Sequence, residues 1–213
     1  MKWRVVRPAA LLIATVRIAT AQDPQPEPMS RLDVRYRLQV EAVIDSARQA
    51  GLPWMAVRSK ALQGINMKVD GPKIVNVVRQ YYATLVRSRE ILGVVGATEI
   101  ETGASVLTAG VRPEDLALFR PTAGGRSPTS ALMYLTALIS AKQGVPREDA
   151  VAAFAKLWKD GVGDSDFEGL WRNVDQDILS GVSPKAALQM RMRGLPARSI
   201  RPPTDQHEEN PHS

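Results

Sequence analysis

A short motif of glycine, an apolar residue and proline recurs along this chain and limits what it can fold into. Glycine tolerates the left-handed conformation that ends a helix, the apolar residue folds back on the last turn, and proline fits the first position of the next helix. The motif, with or without one inserted residue, occurs at Gly51-Leu52-Pro53, Gly110-Val111-Arg112-Pro113, Gly144-Val145-Pro146, Gly181-Val182-Ser183-Pro184 and Gly194-Leu195-Pro196. Such short connections favour antiparallel neighbours. We therefore predict an all-α fold, either an irregular bundle or a helical-repeat-like stack of short helices joined by Gly-Pro turns.

Apolar residues recur at helical spacing between these joints. The first helix is predicted over residues 30 to 50, with Ser30 and Asp33 as a capping box, and the second over residues 54 to 63. The longest apolar face, from Ile74 to Leu92, predicts a third helix at the centre of the core. Its β-branched start is also compatible with a strand, but the helical period persists well beyond strand length.

The periodicity is weakest over residues 93 to 127, where glycines interrupt two short helical patterns. Ser127 and Pro128 then predict the start of the helix that leads to Gly144. Residues 144 to 181 predict a helical hairpin with an aromatic ridge on each helix, because the rings come in pairs four residues apart: Phe154 with Trp158, and Phe167 with Trp171.

Part of this hairpin, residues 153 to 171, is similar to one unit of a Sel1-type repeat. The residues that carry the similarity are Ala153, Leu157, Gly161-Val162, Asp164 and Trp171. No second copy in the chain carries them. The similarity therefore concerns a single hairpin and assigns no family.

The two ends of the chain have the composition of processing and linking segments. Residues 1 to 21 predict a signal peptide, with a basic start, a short apolar run and Ala19-Thr20-Ala21 as the cleavage site. Residues 22 to 29 predict a proline-rich linker, residues 30 to 193 the helical domain and residues 194 to 213 a disordered tail. We therefore expect an exported protein, periplasmic or secreted. No membrane span is predicted, because a span needs about 20 apolar residues.

Charge and composition exclude several classes of function. The formal net charge is +6, but four of the 28 basic residues lie in the predicted leader, which leaves 24 against 22 acidic residues. A nearly neutral helical domain is not typical of a nucleic-acid-binding protein, which concentrates basic residues on one face. The absence of cysteine excludes disulfides, thiolate metal sites and a cysteine nucleophile.

Histidine-dependent chemistry is also disfavoured. The two histidines, His207 and His212, lie in the predicted tail, so no cofactor, metal or Ser-His-Asp site is expected in the helical domain. The acidic stretch from Asp160 to Glu168 departs from the EF-hand calcium loop, because Val162 and Trp171 occupy ligand positions. Its acids are better explained as the first turn of a helix capped by Ser165 and Glu168.

Two groups of residues are candidate binding sites. The loop Gly124-Gly125-Arg126-Ser127, before a predicted helix, is a possible anion site that uses backbone N–H groups and the guanidinium. The second candidate is an aromatic groove for a partner, which competes with the interpretation that the same rings are core residues: Trp54, Phe154, Trp158, Phe167 and Trp171.

Elimination of these catalytic sets favours a non-catalytic function. We expect an exported helical module that binds a protein or a cell-wall glycan through a helical groove. The alternative is a glycan hydrolase that depends on carboxylates alone. Two carboxyl groups about 5 to 10 Å apart across a deep cleft would indicate the hydrolase.

Overall fold

The computed structural model describes residues 28–121, 125–140 and 142–194. Within these ranges the chain forms nine α-helices and no strand, so the all-α prediction is confirmed. The helices are α1 (Val34–Gln49), α2 (Trp54–Asn66), α3 (Gly71–Leu92), α4 (Ala97–Thr108), α5 (Pro113–Leu116), α6 (Thr129–Ile139), α7 (Arg147–Lys159), α8 (Asp164–Leu179) and α9 (Pro184–Gly194). The predicted leader, most of the linker and the tail from residue 195 lie outside the described residues.

The glycine joints adopt the geometry that the sequence predicts. Three glycines directly follow the C-cap residue of a helix and have φ angles between 65° and 94°: Gly51, Gly110 and Gly181. Gly144 has a φ angle of 65° but lies in the turn before α7, because α6 already ends at Ile139. The apolar residue that follows closes the turn, as where the Leu52 N–H donates to the Ala47 carbonyl at 2.9 Å. Leu52 is itself 3% exposed, so this joint both caps a helix and adds to the core.

The buried apolar side chains form two clusters. The N-terminal core lies among α1, α2, α3 and the start of α4, and includes the fully buried Val40, Val57 and Val78. The C-terminal core is built mainly from α5 to α9. Leu92 of α3 and Val106 of α4 belong to this second core, so these two helices connect the halves of the molecule. The third helix is thus central, and its strand alternative is wrong.

The crossing of α3 and α4 is unusually close. The Ser88 hydroxyl, fully buried on α3, donates to the Ile100 carbonyl of α4 at 2.8 Å. A Cβ atom added to Gly103 would lie 2.3 Å from Ser88 Oγ. Only a glycine therefore allows the two helices to approach this closely.

None of the described helices is, by itself, long and apolar enough to cross a membrane. Helices α3 and α4 meet the criterion only as a pair, and the pair is bent by 109°.

The predicted hairpin forms, but its two helices pack differently from the expectation. Phe154 of α7 stacks on Phe167 of α8 with ring centroids 5.4 Å apart. Both helices otherwise pack chiefly on α6 rather than along each other. The reason is the apolar face of α6, whose fully buried leucines occupy the same core: Leu132, Leu135 and Leu138.

Two predicted capping boxes are wrong by a small shift in register. Helix α1 begins at Val34, because the Asp33 carboxylate accepts a hydrogen bond from the Arg35 N–H at 2.9 Å. Helix α8 begins at Asp164, and the Asp166 carboxylate accepts from the Gly163 N–H at 3.2 Å. In both cases a nearer acid caps the helix in place of the predicted pair.

An ion pair attaches the last helix to the body. Asp177 of α8 is 8% exposed and accepts two hydrogen bonds from Arg191 of α9, at 2.5 and 2.6 Å. These bonds hold the pKa of Asp177 below its ordinary value. The spacing of residues in the sequence does not predict this contact, because it does not show that α9 folds back on α8.

Candidate functional site

A surface cleft on the C-terminal half combines residues from both predicted binding sites. We call it the Trp158 cleft, and its volume is about 520 Å³. Its lining comes from the 3-10 turn after α5, the loop before α6, and α7 with the turn that follows: Leu118, Arg120, Arg126, Ala155, Lys156, Trp158, Lys159 and Gly161. The four residues from α7 share one face of that helix, because their spacing follows the helical period.

Arg126 is the best-fixed cation of the cleft. Its guanidinium carbon lies 4.3 Å from the Trp158 ring centroid and 5.5 Å from that of Phe167. It also donates a hydrogen bond to the Val162 carbonyl in the turn between α7 and α8. Partial burial lowers its pKa, an effect that the nearby Asp164 opposes. The guanidinium thus has a fixed position but makes no direct ion pair with a described carboxylate.

Of the other three cations of the cleft, one forms an ion pair with a described carboxylate. Lys156 pairs with Asp160 at 2.5 Å, whereas Lys159 is exposed and makes no ion pair with a described residue. Arg120 donates to the Ile91 carbonyl, which is neutral. None of the described residues that line the cleft is acidic. The cleft therefore has an excess of positive charge that favours an anionic ligand.

Apolar surface adjoins these charges. Leu118 is 55% exposed, although large aliphatic side chains gain free energy from leaving water. Ala155 lies across the cleft and is partly exposed. A ligand that carries an apolar group beside its negative charge would cover this surface as well as neutralise the cations.

The predicted anion loop is only partly realised. Gly124 lies outside the described residues, and Gly125 is exposed with a φ angle of 68°. Arg126 faces the cleft, but the Ser127 hydroxyl donates to Glu99 Oε1 at 2.6 Å. The proton of the Ser127 hydroxyl is thus already donated to a carboxylate, and the anion site of this loop stays a prediction. The helix also begins one residue later than predicted, at Thr129.

The five predicted groove aromatics do not share one surface. Phe154 and Phe167 are fully buried, as core packing alone would place them. Trp158 is 7% exposed and forms the wall of the cleft beneath Arg126. Trp171 packs on Tyr134 of α6 with centroids 5.7 Å apart. Trp54 lies on the N-terminal half, where the Arg48 guanidinium covers its ring at 4.4 Å.

Sequence reasoning missed most of the cations and the exposed leucine of this cleft. Lys156 and Lys159 read as ordinary last-turn cations of α7, since positive charge there complements the helix dipole. Arg120 and Leu118 lie in the stretch with the weakest periodicity. An apolar residue precedes the cation at Phe119-Arg120, Ala155-Lys156 and Trp158-Lys159, but this pattern is too frequent in sequences to mark a site.

Comparisons with known proteins assign no family to the chain. No protein-family model, curated protein or solved structure matches it. The similarity of residues 153 to 171 to a Sel1-type unit therefore has no support beyond those residues.

Proposed function

We propose that this protein is an exported, non-catalytic helical module that binds a partner protein, and that the Trp158 cleft receives an acidic, apolar segment of that partner. The observation that carries the proposal is the composition of the cleft. Four cationic side chains and an exposed leucine line about 520 Å³, with no carboxylate among the described lining residues. Charge complementarity of this kind steers a partner and fixes its register.

Several features favour a peptide over a purely ionic ligand. Arg126 presents a planar, preorganised guanidinium, the geometry that suits a carboxylate. Leu118 and Ala155 supply apolar contact beside it, which a small inorganic anion would leave uncovered. Aspartate or glutamate next to a leucine-like residue satisfies both requirements in a short segment.

The test is a titration of the full chain with a fluorescein-labelled peptide of alternating Glu and Leu. The isosteric Gln and Leu peptide serves as the ligand control. We expect the acidic peptide to bind more tightly, and its affinity to fall as salt is raised, because salt screens exposed charges. Equal affinity for the two peptides would contradict the proposal, and so would tighter binding of an acidic oligosaccharide.

Matched variants locate the binding site. Lys159→Glu reverses a charge in the cleft, and Lys142→Glu reverses an exposed lysine elsewhere that also makes no ion pair with a described residue. A charge pair at about 4 Å is worth about 1 to 4 kcal/mol near a protein surface, so Lys159→Glu should weaken binding by about tenfold or more. Lys142→Glu should have little effect, and similar losses in both variants would remove the cleft from consideration.

The apolar wall has its own matched pair. Leu118→Ala should weaken binding of the acidic peptide, whereas Leu179→Ala, which truncates a leucine that is 69% exposed on α8, should not. Export is tested separately by mass spectrometry of the protein recovered from its source. The proposal requires a mature chain that begins at Gln22, and retention of residues 1 to 21 would refute it.

A further inference from the structure

A second cavity lies on the N-terminal half of the molecule, in a groove between α2 and α4 that crosses α3. We call it the Tyr81 groove, and its volume is about 850 Å³. Helix α2 contributes Met55, Ser59 and Gln63, helix α3 contributes Tyr81, and helix α4 contributes Glu101 and Ser105. None of the residues that line it also lines the Trp158 cleft.

The groove has polar groups that the protein does not use internally. The side chains of Ser59, Gln63 and Glu101 make no hydrogen bond or ion pair with other described residues. They come from two different helices that face each other across the groove. Together they offer a hydroxyl, an amide and a carboxylate, which both donate and accept hydrogen bonds.

The charges of the groove cancel. Lys60 and Glu101 are its two charged lining residues in the described part of the chain, and their signs are opposite. The cavity therefore differs from the Trp158 cleft, where cations dominate. A neutral ligand that is rich in hydrogen-bonding groups fits this composition better than an ion.

Tyr81 and Met55 give the groove an apolar component. Tyr81 is half-buried. Its burial, and to a smaller extent the negative charge of Glu101, raises the pKa of its phenol. Burial likewise raises the pKa of Glu101. Met55 is 53% exposed at the rim. An aromatic ring beside amide and carboxylate groups is a suitable surface for a ligand with one apolar and one polar face.

The groove is also elongated. On α4 the lining runs from Glu101 to Thr108, and on α2 from Met55 to Gln63. At a rise of about 1.5 Å per residue, these stretches span about 10 and 12 Å. A ligand that uses the whole groove is therefore longer than a single sugar ring.

From this juxtaposition we infer that the Tyr81 groove binds a neutral oligosaccharide. Sugar rings have hydroxyl groups for Glu101, Gln63 and Ser59, and an apolar face for Tyr81, whose ring centroid lies 6.0 Å from the Lys60 ammonium. The groove is not equipped to cleave the glycosidic bond in the usual way, because that reaction uses a pair of carboxyl groups and the described lining contains one. The inference is independent of the protein partner proposed above.

The experiment is calorimetric titration of the full chain with chitotetraose and with cellotetraose, accompanied by product analysis. At least one of these neutral sugars should bind. Glu101→Gln should weaken that binding by about tenfold, because hydrogen bonds to a charged acceptor contribute the most. Gln63→Ala should weaken it less.

Two surface variants on α3 are the matched controls, namely Glu90→Gln and Gln80→Ala, and both should leave the affinity unchanged. The inference is overturned if neither sugar binds, if the control variants lose as much affinity as the groove variants, or if tetragalacturonate binds more tightly than the neutral sugars. Shortened products would overturn its non-catalytic part. If no neutral sugar binds but the acidic peptide binds at the Trp158 cleft, the sugar inference is overturned and the protein-binding proposal stands.

Discussion

Replacing Gly103 by alanine tests whether the α3–α4 crossing holds the two cores together. The added Cβ would lie 2.3 Å from Ser88 Oγ and 2.8 Å from Leu92 Cδ1. Carbon atoms attract best at about 3.5 to 4.0 Å, so the helices must separate by about 1 Å or Ser88 must rotate away. Rotation would break the hydrogen bond from Ser88 to the Ile100 carbonyl.

The expected change in the free energy of unfolding follows from three effects. Overpacking costs about 1 to 3 kcal/mol. The buried hydrogen bond contributes about 1 kcal/mol, and alanine regains about 1 kcal/mol over glycine within a helix. We therefore expect Gly103→Ala to destabilise the protein by about 1 to 3 kcal/mol.

Gly169 is the matched control, because it is also a helical glycine and a Cβ atom there would meet nothing within 4 Å. Gly169→Ala should stabilise the protein by about 1 kcal/mol. The two substitutions are chemically identical, so their opposite signs isolate the helix crossing from helix propensity.

Urea unfolding, followed by circular dichroism and tryptophan fluorescence, measures both variants. Combining Ser88→Ala with Gly103→Ala removes the closest atom, so the double variant should lose less stability than the sum of the two single variants. The reasoning would be refuted if Gly103→Ala stabilised the protein as much as Gly169→Ala.

Three further predictions concern other contacts. Phe154→Ala removes a fully buried ring and should cost about 3 to 5 kcal/mol in urea unfolding, whereas Leu179→Ala at the surface should cost under about 0.5 kcal/mol. Because Arg191 lowers the pKa of Asp177, this ion pair stabilises the protein at pH values above the pKa that Asp177 has in the unfolded chain. The stabilisation is lost as the pH falls through the pKa of Asp177 in the folded protein. Asp177→Asn should therefore flatten the acidic limb of a stability–pH curve, and an unchanged limb would contradict it. Folding raises the pKa of Glu101, so the free energy of unfolding falls as the pH rises from the pKa that Glu101 has in the unfolded chain to the higher pKa that it has in the folded protein. Glu101→Gln should thus stabilise the protein at neutral pH but not in acid.

The sequence predicted the helices well because the information for them is local. A glycine at a helix end and an apolar residue after it act over one turn, as at Gly51 and Leu52, and the structure shows the expected left-handed glycine there. The caps at Asp33 and Gly163 were missed because several acids and hydroxyls compete within the same few residues. Spacing narrows that choice but does not decide it.

The packing of the helices was less predictable. Short connections favour antiparallel neighbours, but α7 and α8 both pack chiefly on α6. Which helix fills the space between two others depends on the fit of the whole core. The same limit applies to Asp177, because its partner Arg191 lies on α9 and spacing in the sequence does not show which helix α9 packs against.

The Trp158 cleft shows why a site of this kind emerges only from the fold. Lys156 and Lys159 are explained by the dipole of α7 alone, and they would stabilise its last turn in any protein. Arg126 is different, since it comes from a separate loop and gives up part of its hydration to lie on the Trp158 ring. Arg120 is added from a third segment. The stability of the helices does not require that cations from three segments come together in a cleft whose described lining contains no carboxylate. This convergence of cations supports binding of an acidic partner.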